Sequence, residues 1–189
     1  MLTVYKWFTL KSLLLIAGMT VMSEPVYFYA KGYVAQILLD NAWNKTIDLL
    51  SPQLAWPWAE THPVGRIHFP RLGQSFTILN NTSIESLAFA PGNVENTSLP
   101  GENGNICIAG HRDSFFKGVK NLKLSDVVRI ESIGKEQLFQ INEINIVSPD
   151  EIEWLQNTDQ SVLTLITCYP FEYIGEAPKR YIIRAKLIL

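Results

Sequence analysis

Cysteine is scarce in this 189-residue chain: there are two, Cys107 and Cys168. Two cannot build a disulfide framework, and they lack the spacing of a metal site. They could still form one bridge. Long basic runs are also missing. With a net charge of −2 and a pI near 5.9, nothing offers the clustered Lys and Arg that face phosphates, so nucleic acid is not an expected partner. No internal repeat and no low-complexity tract is present, so the chain is not an array of copies. What the chain does have is apolar material, 47% of its residues. That is enough for one globular domain and an appendage.

The appendage is N-terminal. An apolar stretch runs over residues 7–22, flanked or entered by Lys6 and Lys11 and closed by Glu24-Pro25. It is slightly short of the roughly 20 residues that span a bilayer core. Two readings compete, a cleaved signal peptide and an uncleaved anchor. No Ala-x-Ala follows, only Met22-Ser23-Glu24-Pro25, so an anchor over residues 1–24 is the preferred expectation. Lys6 and Lys11 would then hold the N-terminus in the cytoplasm and leave the rest outside. Residues 25–63 read as an amphipathic stalk helix, lying on the domain or on the membrane surface, followed by a linker. Val34, Ile37, Leu38, Ala42 and Ile47 share one helical face, and the prolines around Trp56-Pro57-Trp58 and His62-Pro63 break the helix.

Residues 64–189 read as the compact domain. Gly65-Arg66-Ile67-His68-Phe69 and Ser75-Phe76-Thr77-Ile78-Leu79 alternate as a hairpin around Pro70-Arg71-Leu72-Gly73. A short helix is expected over 84–90 and a loop over 93–105. Further strands are expected over 105–109, 127–130, 137–147, 162–168 and 180–189. A short helix over 148–156 should start at Ser148, with Glu151 three residues on. About eight strands with only short helices predict a mostly β fold, a closed or nearly closed β-barrel with few free edges.

The chemistry centres on Val162-Leu163-Thr164-Leu165-Ile166-Thr167-Cys168-Tyr169-Pro170. A buried β-branched strand delivers a cysteine at its open end, where Pro170 stops the ladder. The plainer alternative is a buried, inert thiol. Two further residues sit at strand ends, His111 in Ala109-Gly110-His111-Arg112-Asp113 and Arg180 in Pro178-Lys179-Arg180-Tyr181. A thiol attacks as thiolate, His111 could share its proton and later protonate a leaving amine, and Arg180 could hold an oxyanion. The trio fits acyl transfer through a thioester, with both cysteines as free thiols. Taken singly, each residue has a structural reading: a strand-end histidine, a solvated arginine. Arg112 and Asp113 suggest a local ion pair. Arg184, on the same strand face as Arg180, is the second choice for the catalytic arginine.

Thr164-Leu165-Ile166-Thr167-Cys168 resembles the TLxTC signature of sortases, membrane-anchored cysteine transpeptidases of bacteria. Gly110-His111-Arg112-Asp113-Ser114-Phe115-Phe116 resembles the histidine motif of their class D-like, proteobacterial-type branch. Leu99-Pro100-Gly101 and the run from Pro178 to Ala185 match it too, with the arginine twelve residues after the cysteine. The resemblance implies the sortase eight-stranded β-barrel behind an N-terminal transmembrane helix. It implies attack by Cys168 on an LPxTG-like sorting signal, with transfer of the acyl group to an amine acceptor. His111 would be the general acid and base and Arg180 the oxyanion and substrate holder. Thr167, and Thr164 of the same motif, would contact substrate in a groove beside the Cys168 strand and segment 147–160. The partners would be the sorted protein, the acceptor amine and, through the N-terminal helix, the membrane. The domain would lie outside the cytoplasmic membrane. No acidic cluster of the calcium-binding kind is evident, because Asp150, Glu151 and Glu153 fall in the expected short helix. No metal and no cofactor are expected. A cysteine hydrolase using water at the same site and a non-catalytic membrane-anchored binding barrel remain the alternatives.

Overall fold

A computed structural model describes residues 2–189, with side chains described for all but residues 2–10, 25, 28 and 29. The chain divides into a unit ending at Ile37 and a unit Leu38–Leu189.

One helix, α1 (Leu2–Leu49), occupies the N-terminal region. The sequence suggested a break at Glu24-Pro25; the helix runs through it. Leu13, Leu14, Leu15, Ile16, Met19 and Met22 are all exposed. Among the described residues no helix is long and apolar enough to cross a membrane. The spanning helix expected over residues 1–24 is therefore not supported. The part of that expectation resting on the side chains of residues 7–10 falls outside those described.

The second unit is a closed eight-stranded barrel with the order β1-β2-β3-β4-β7-β8-β6-β5. Its strands are β1 (Pro63–Phe69), β2 (Gln74–Leu79), β3 (Gly92–Asn93), β4 (Asn105–Ala109), β5 (Val127–Ser132), β6 (Lys135–Val147), β7 (Val162–Tyr169) and β8 (Lys179–Leu187). Alternation decides which side chains enter the barrel. Ile67 and Phe69 of β1, Ile106 and Ile108 of β4, Leu163 and Leu165 of β7, and Ile183 and Ala185 of β8 meet in one buried cluster with Val128, Ile130, Phe139 and Ile141. Each large apolar side chain so buried is worth about 1.5–3 kcal/mol.

β4 and β7 pair in parallel and each is buried on both faces over most of its length. That is why they read as unbroken apolar runs rather than alternating ones. β3 lies where a loop was expected. It is two residues long and bridges β2 in parallel and β4 antiparallel. β6 begins at Lys135, and Gly134 at φ +69 turns the chain directly back from β5. α2 (Ile84–Phe89) is capped by Ser83, whose hydroxyl accepts the Ser86 N–H. The helix expected over 148–156 is a short 3-10 turn, Ile152–Leu155. Half of the expected capping box is present, since the Ser148 N–H donates to the Glu151 carboxylate at 2.8 Å.

The compact unit begins at Leu38, ahead of the boundary expected at residue 64. Leu39, Ala42, Trp43 and Thr46 at the end of α1 are buried, and Leu39 joins a cluster with Leu79 and Ala90. Asp40 accepts from Arg66 at 2.8 Å and from the Thr77 hydroxyl at 3.1 Å. The last turns of α1 are thus part of the barrel unit, resting beside β1 and β2.

Candidate active site

The site is assembled by register. β7 and β8 are antiparallel, and Cys168 stands directly opposite Arg180. Opposed residues on such a pair share one face, with Cβ atoms about 4.5–5.5 Å apart. Leu163 and Leu165 point into the barrel, so Cys168, Ile166 and Thr164 point outwards, and Arg180, Ile182 and Arg184 do the same on β8. Both Cys168 and Arg180 are half-buried. Beneath them the inward face carries an aromatic plug. Tyr169 stacks on Tyr181 at 6.2 Å, and Phe171 lies edge-on to Tyr181 at 5.1 Å.

His111 arrives from the other side of β7. The β4–β7 pairing ends at Ala109 opposite Ile166. The Gly110 N–H then donates to the Ile166 carbonyl at 3.1 Å, and the Thr167 hydroxyl donates to the Gly110 carbonyl at 2.7 Å. His111 follows as the next residue, two past the end of β4. Gly110 is required by close approach, because a Cβ there would lie 2.8 Å from the Phe116 ring. His111 is exposed, and its carbonyl accepts from Phe116 at 3.0 Å, which closes the turn behind it. The other two histidines are pushed below their ordinary values, first of all by burial, and His68 is engaged with Glu131 at 3.2 Å.

The two cysteines separate cleanly. Both are free thiols. Cys107 is buried on β4, and burial pushes its pKa up to about 11. It remains a neutral thiol against the Trp154 carbonyl at 3.8 Å, which makes it a packing residue. Cys168 is half-exposed at the strand end.

The arginines separate as well. Arg180 donates through Nη1 to the carbonyls of Ala177 at 3.2 Å and Lys179 at 3.1 Å. These bonds hold its stem at the rim beside Cys168. Arg184 stands opposite Thr164, four residues further along β8, or about 13 Å from the Arg180 level at 3.3 Å per residue. Its guanidinium lies 5.6 Å from the Trp154 ring. It faces an open cavity of 490 Å³ that Glu143, Asp159, Gln160 and Lys186 also line. Arg180, not Arg184, accompanies the thiol.

The Thr167 and Thr164 hydroxyls both donate to groups within the barrel unit. Thr167 is buried, with its hydroxyl spent on Gly110. Thr164 is buried, with its hydroxyl donated to Asn105 Oδ1 at 2.7 Å. Asn105 in turn donates to the carbonyls of Trp154 at 2.8 Å and Gln156 at 3.0 Å. Through its bond to Gly110, Thr167 ties the His111 turn to the Cys168 strand. Thr164 fixes the 150s segment over the outer face of β4 and β7. The expected groove edge along segment 147–160 is thus anchored from beneath.

One residue next to the site has a larger role than its sequence suggested. Arg112 is buried and donates to the carbonyls of Pro170 at 3.0 Å, Tyr173, and Gly175 at 3.2 Å, besides pairing with Asp113 at 3.3 Å. Nothing in the order of residues distinguishes such a staple from an ordinary surface ion pair.

A half-exposed cysteine at the open end of one barrel strand stands across from an arginine, and a histidine follows two residues after the neighbouring strand β4, a set of residue types suited to thiol chemistry. The family profile described as "Sortase domain" matches residues 67–188, which takes in all three residues. The chain belongs to the sortase family. It is 35% identical over 126 residues to Sortase D of Bacillus subtilis (strain 168), covering 66% of this chain and 63% of that protein. It is 25% identical over 129 residues to Sortase A of Bacillus anthracis, covering 66% and 60%. The chain thus spans about three fifths of the length of these relatives. Among solved structures, a Clostridium perfringens Sortase D5 transpeptidase superposes with a TM-score of 0.69 at 26% identity, over 83% of this chain and 99% of that one. A pilus-related Sortase C of Group B Streptococcus superposes with a TM-score of 0.62 at 30% identity, over 67% and 68%. The class D-like resemblance fits these relationships.

Proposed function

We propose that this chain is a cysteine transpeptidase that cleaves an LPxTG-like sorting signal through a thioester on Cys168 and passes the acyl group to an amine acceptor. The observation that carries the proposal is the β7–β8 register setting Cys168 against Arg180; the position of His111, two residues past the end of the β4 strand that pairs with β7, supports it. The Sγ thiolate of Cys168 adds to the carbonyl carbon at the Thr–Gly bond. The negative charge that develops on the carbonyl oxygen faces the Arg180 guanidinium, a donor that keeps its charge at any relevant pH. The C–N bond breaks as His111 gives its proton to the leaving amine, and the acyl group stays on sulfur. An incoming amine then adds to the thioester, His111 takes its proton, and the C–S bond breaks to restore the thiolate. The peptide bond lost is replaced by the amide formed, so no oxidant or energy carrier is needed.

The same site could pass the acyl group to water. The exposure of His111 and the half-exposure of Cys168 favour this second reading. Incubation of the purified chain with an LPxTG-type peptide and hydroxylamine decides between them. A peptide hydroxamate that is lost in Cys168→Ala is expected. Free acid as the sole product would mean a hydrolase, and no turnover with an intact barrel would argue for a binding module.

We also place the barrel outside the cytoplasmic membrane, with segment 1–24 as its attachment. Lys6, Lys11 and the exposed apolar side chains between Leu13 and Met22 support this. Retention in the membrane fraction, lost on deleting residues 1–24, is the expected result; equal solubility of both forms would overturn it.

A further inference from the structure

The loop between β7 and β8 joins Cys168 to Arg180, and it contains no regular secondary structure. A segment of this kind would ordinarily move, which is poorly suited to a strand end that must hold a nucleophile. Its apolar ties lie near its ends, where Phe171 packs on Tyr169 and Tyr181 and Ala177 is buried, and its polar side-chain ties are few. Lys120 pairs with Glu172 at 2.7 Å, but Glu172 is 86% exposed, and exposed pairs hold a backbone weakly. Tyr173 is half open and Ile174 is 98% exposed.

Arg112 is the exception. Its side chain is 7% exposed, while its carboxylate partner Asp113 is 74% exposed. A guanidinium taken this far from water needs its donors filled. They are filled by three carbonyls of this loop, Pro170, Tyr173 and Gly175, and the guanidinium also sits 5.9 Å from the Tyr173 ring. Pro170 is two residues past Cys168, Gly175 is five before Arg180, and Arg112 itself follows His111. One planar fork therefore connects the carriers of all three reactive residues.

We propose that Arg112 is a positioning residue. By clamping the 170–175 backbone to the His111 turn it fixes the imidazole relative to the Cys168 thiol. This rests on the transpeptidase reading for its catalytic consequence, but the geometric claim can be read without any substrate. Five donors in a rigid plane match three spread carbonyls; a lysine ammonium can reach some of them but cannot reproduce the fork.

The test uses the full chain with Arg112→Met, which keeps an unbranched apolar stem but removes the donors, and Arg112→Lys. Three readouts are taken: turnover of an LPxTG-type peptide with hydroxylamine, the pH profile of Cys168 alkylation by iodoacetamide, and amide exchange over residues 170–178. Arg112→Met is expected to lower kcat roughly 10²-fold, the size of effect that misplacing a reacting group produces, with KM changed less than about threefold. The alkylation profile should shift from that of the wild type and exchange should rise in the loop, while the barrel stays folded by circular dichroism. Arg112→Lys should recover part of each. A wild-type kcat and an unchanged alkylation profile in Arg112→Met would overturn the proposal. So would loss of the whole barrel in both variants, which would make the contacts a condition of folding. If the wild type itself ignores the peptide, the transpeptidase reading fails, and the alkylation profile and exchange still decide the role of Arg112.

Discussion

The two ends of the β7–β8 pair invite comparison, because they carry nearly the same pieces. At one end Cys168 faces Arg180; four residues back Thr164 faces Arg184, with Cys107 beside it on β4. Each end therefore has a thiol and a guanidinium on the outer face of the same sheet. One is open at the strand terminus beside an exposed histidine. The other lies under the 150s segment, where Asn105 holds the carbonyls of Trp154 and Gln156 and Trp154 covers Arg184. The two thiols differ in cover rather than in residue type: Cys107 is buried and Cys168 is half-exposed.

The largest effect that would break this comparison is on the thiols themselves. Cys168→Ala is expected to remove turnover by at least about 10⁴-fold, as loss of a nucleophile does in comparable enzymes. Cys107→Ala should keep activity within about twofold and lose about 1 kcal/mol of stability, as for a buried side chain trimmed by one atom. Peptide turnover and thermal melts of both variants check this. The arginines come next. Arg180→Ala should lower kcat by about 10²–10³-fold, the usual cost of removing an oxyanion donor, while Arg184→Ala should leave kcat within about threefold. Equal losses would mean that the covered end also takes part.

Smaller effects sharpen the account of the covered end. Thr164→Val strands the Asn105 Oδ1 lone pairs in a buried place and should cost about 1–3 kcal/mol of stability, read as a lower Tm with the alkylation rate of Cys168 unchanged. The smallest is a pH effect. The folded-state pKa of Cys107 is raised from 9.0 to about 11, so the folded state holds this proton more tightly than the unfolded chain. Its contribution to stability is complete below pH 9 and is lost as the pH rises towards 11. An alkaline drop in Tm over that interval, smaller in Cys107→Ala, is the expected signature.

Much of this comparison was legible in the residues, for physical reasons that differ from place to place. The strand of Cys168 could be read because a run of β-branched residues ended by proline has few other homes. The expectation that Cys168, His111 and Arg180 share one rim rested on each lying near a strand end, and the β7–β8 register sets Cys168 opposite Arg180. β3 was invisible because two residues carry no periodicity. The duties of Thr164, Thr167 and Arg112 were invisible because a hydroxyl or a guanidinium looks the same in sequence whether it faces substrate or a carbonyl. Packing of the end of α1 on the barrel unit was one of two readings of its apolar face, domain or membrane surface, since such a face does not say what covers it.

The most direct measurement is the site of the acyl group. The wild-type chain is incubated with an LPxTG-type peptide, quenched in acid to preserve the thioester, digested and mapped by mass spectrometry. An adduct on the peptide containing Cys168, with Cys107 unmodified, is the expected result. An adduct on Cys107, or turnover with no adduct on either thiol and full activity in Cys168→Ala, would contradict the assignment of Cys168 as the nucleophile.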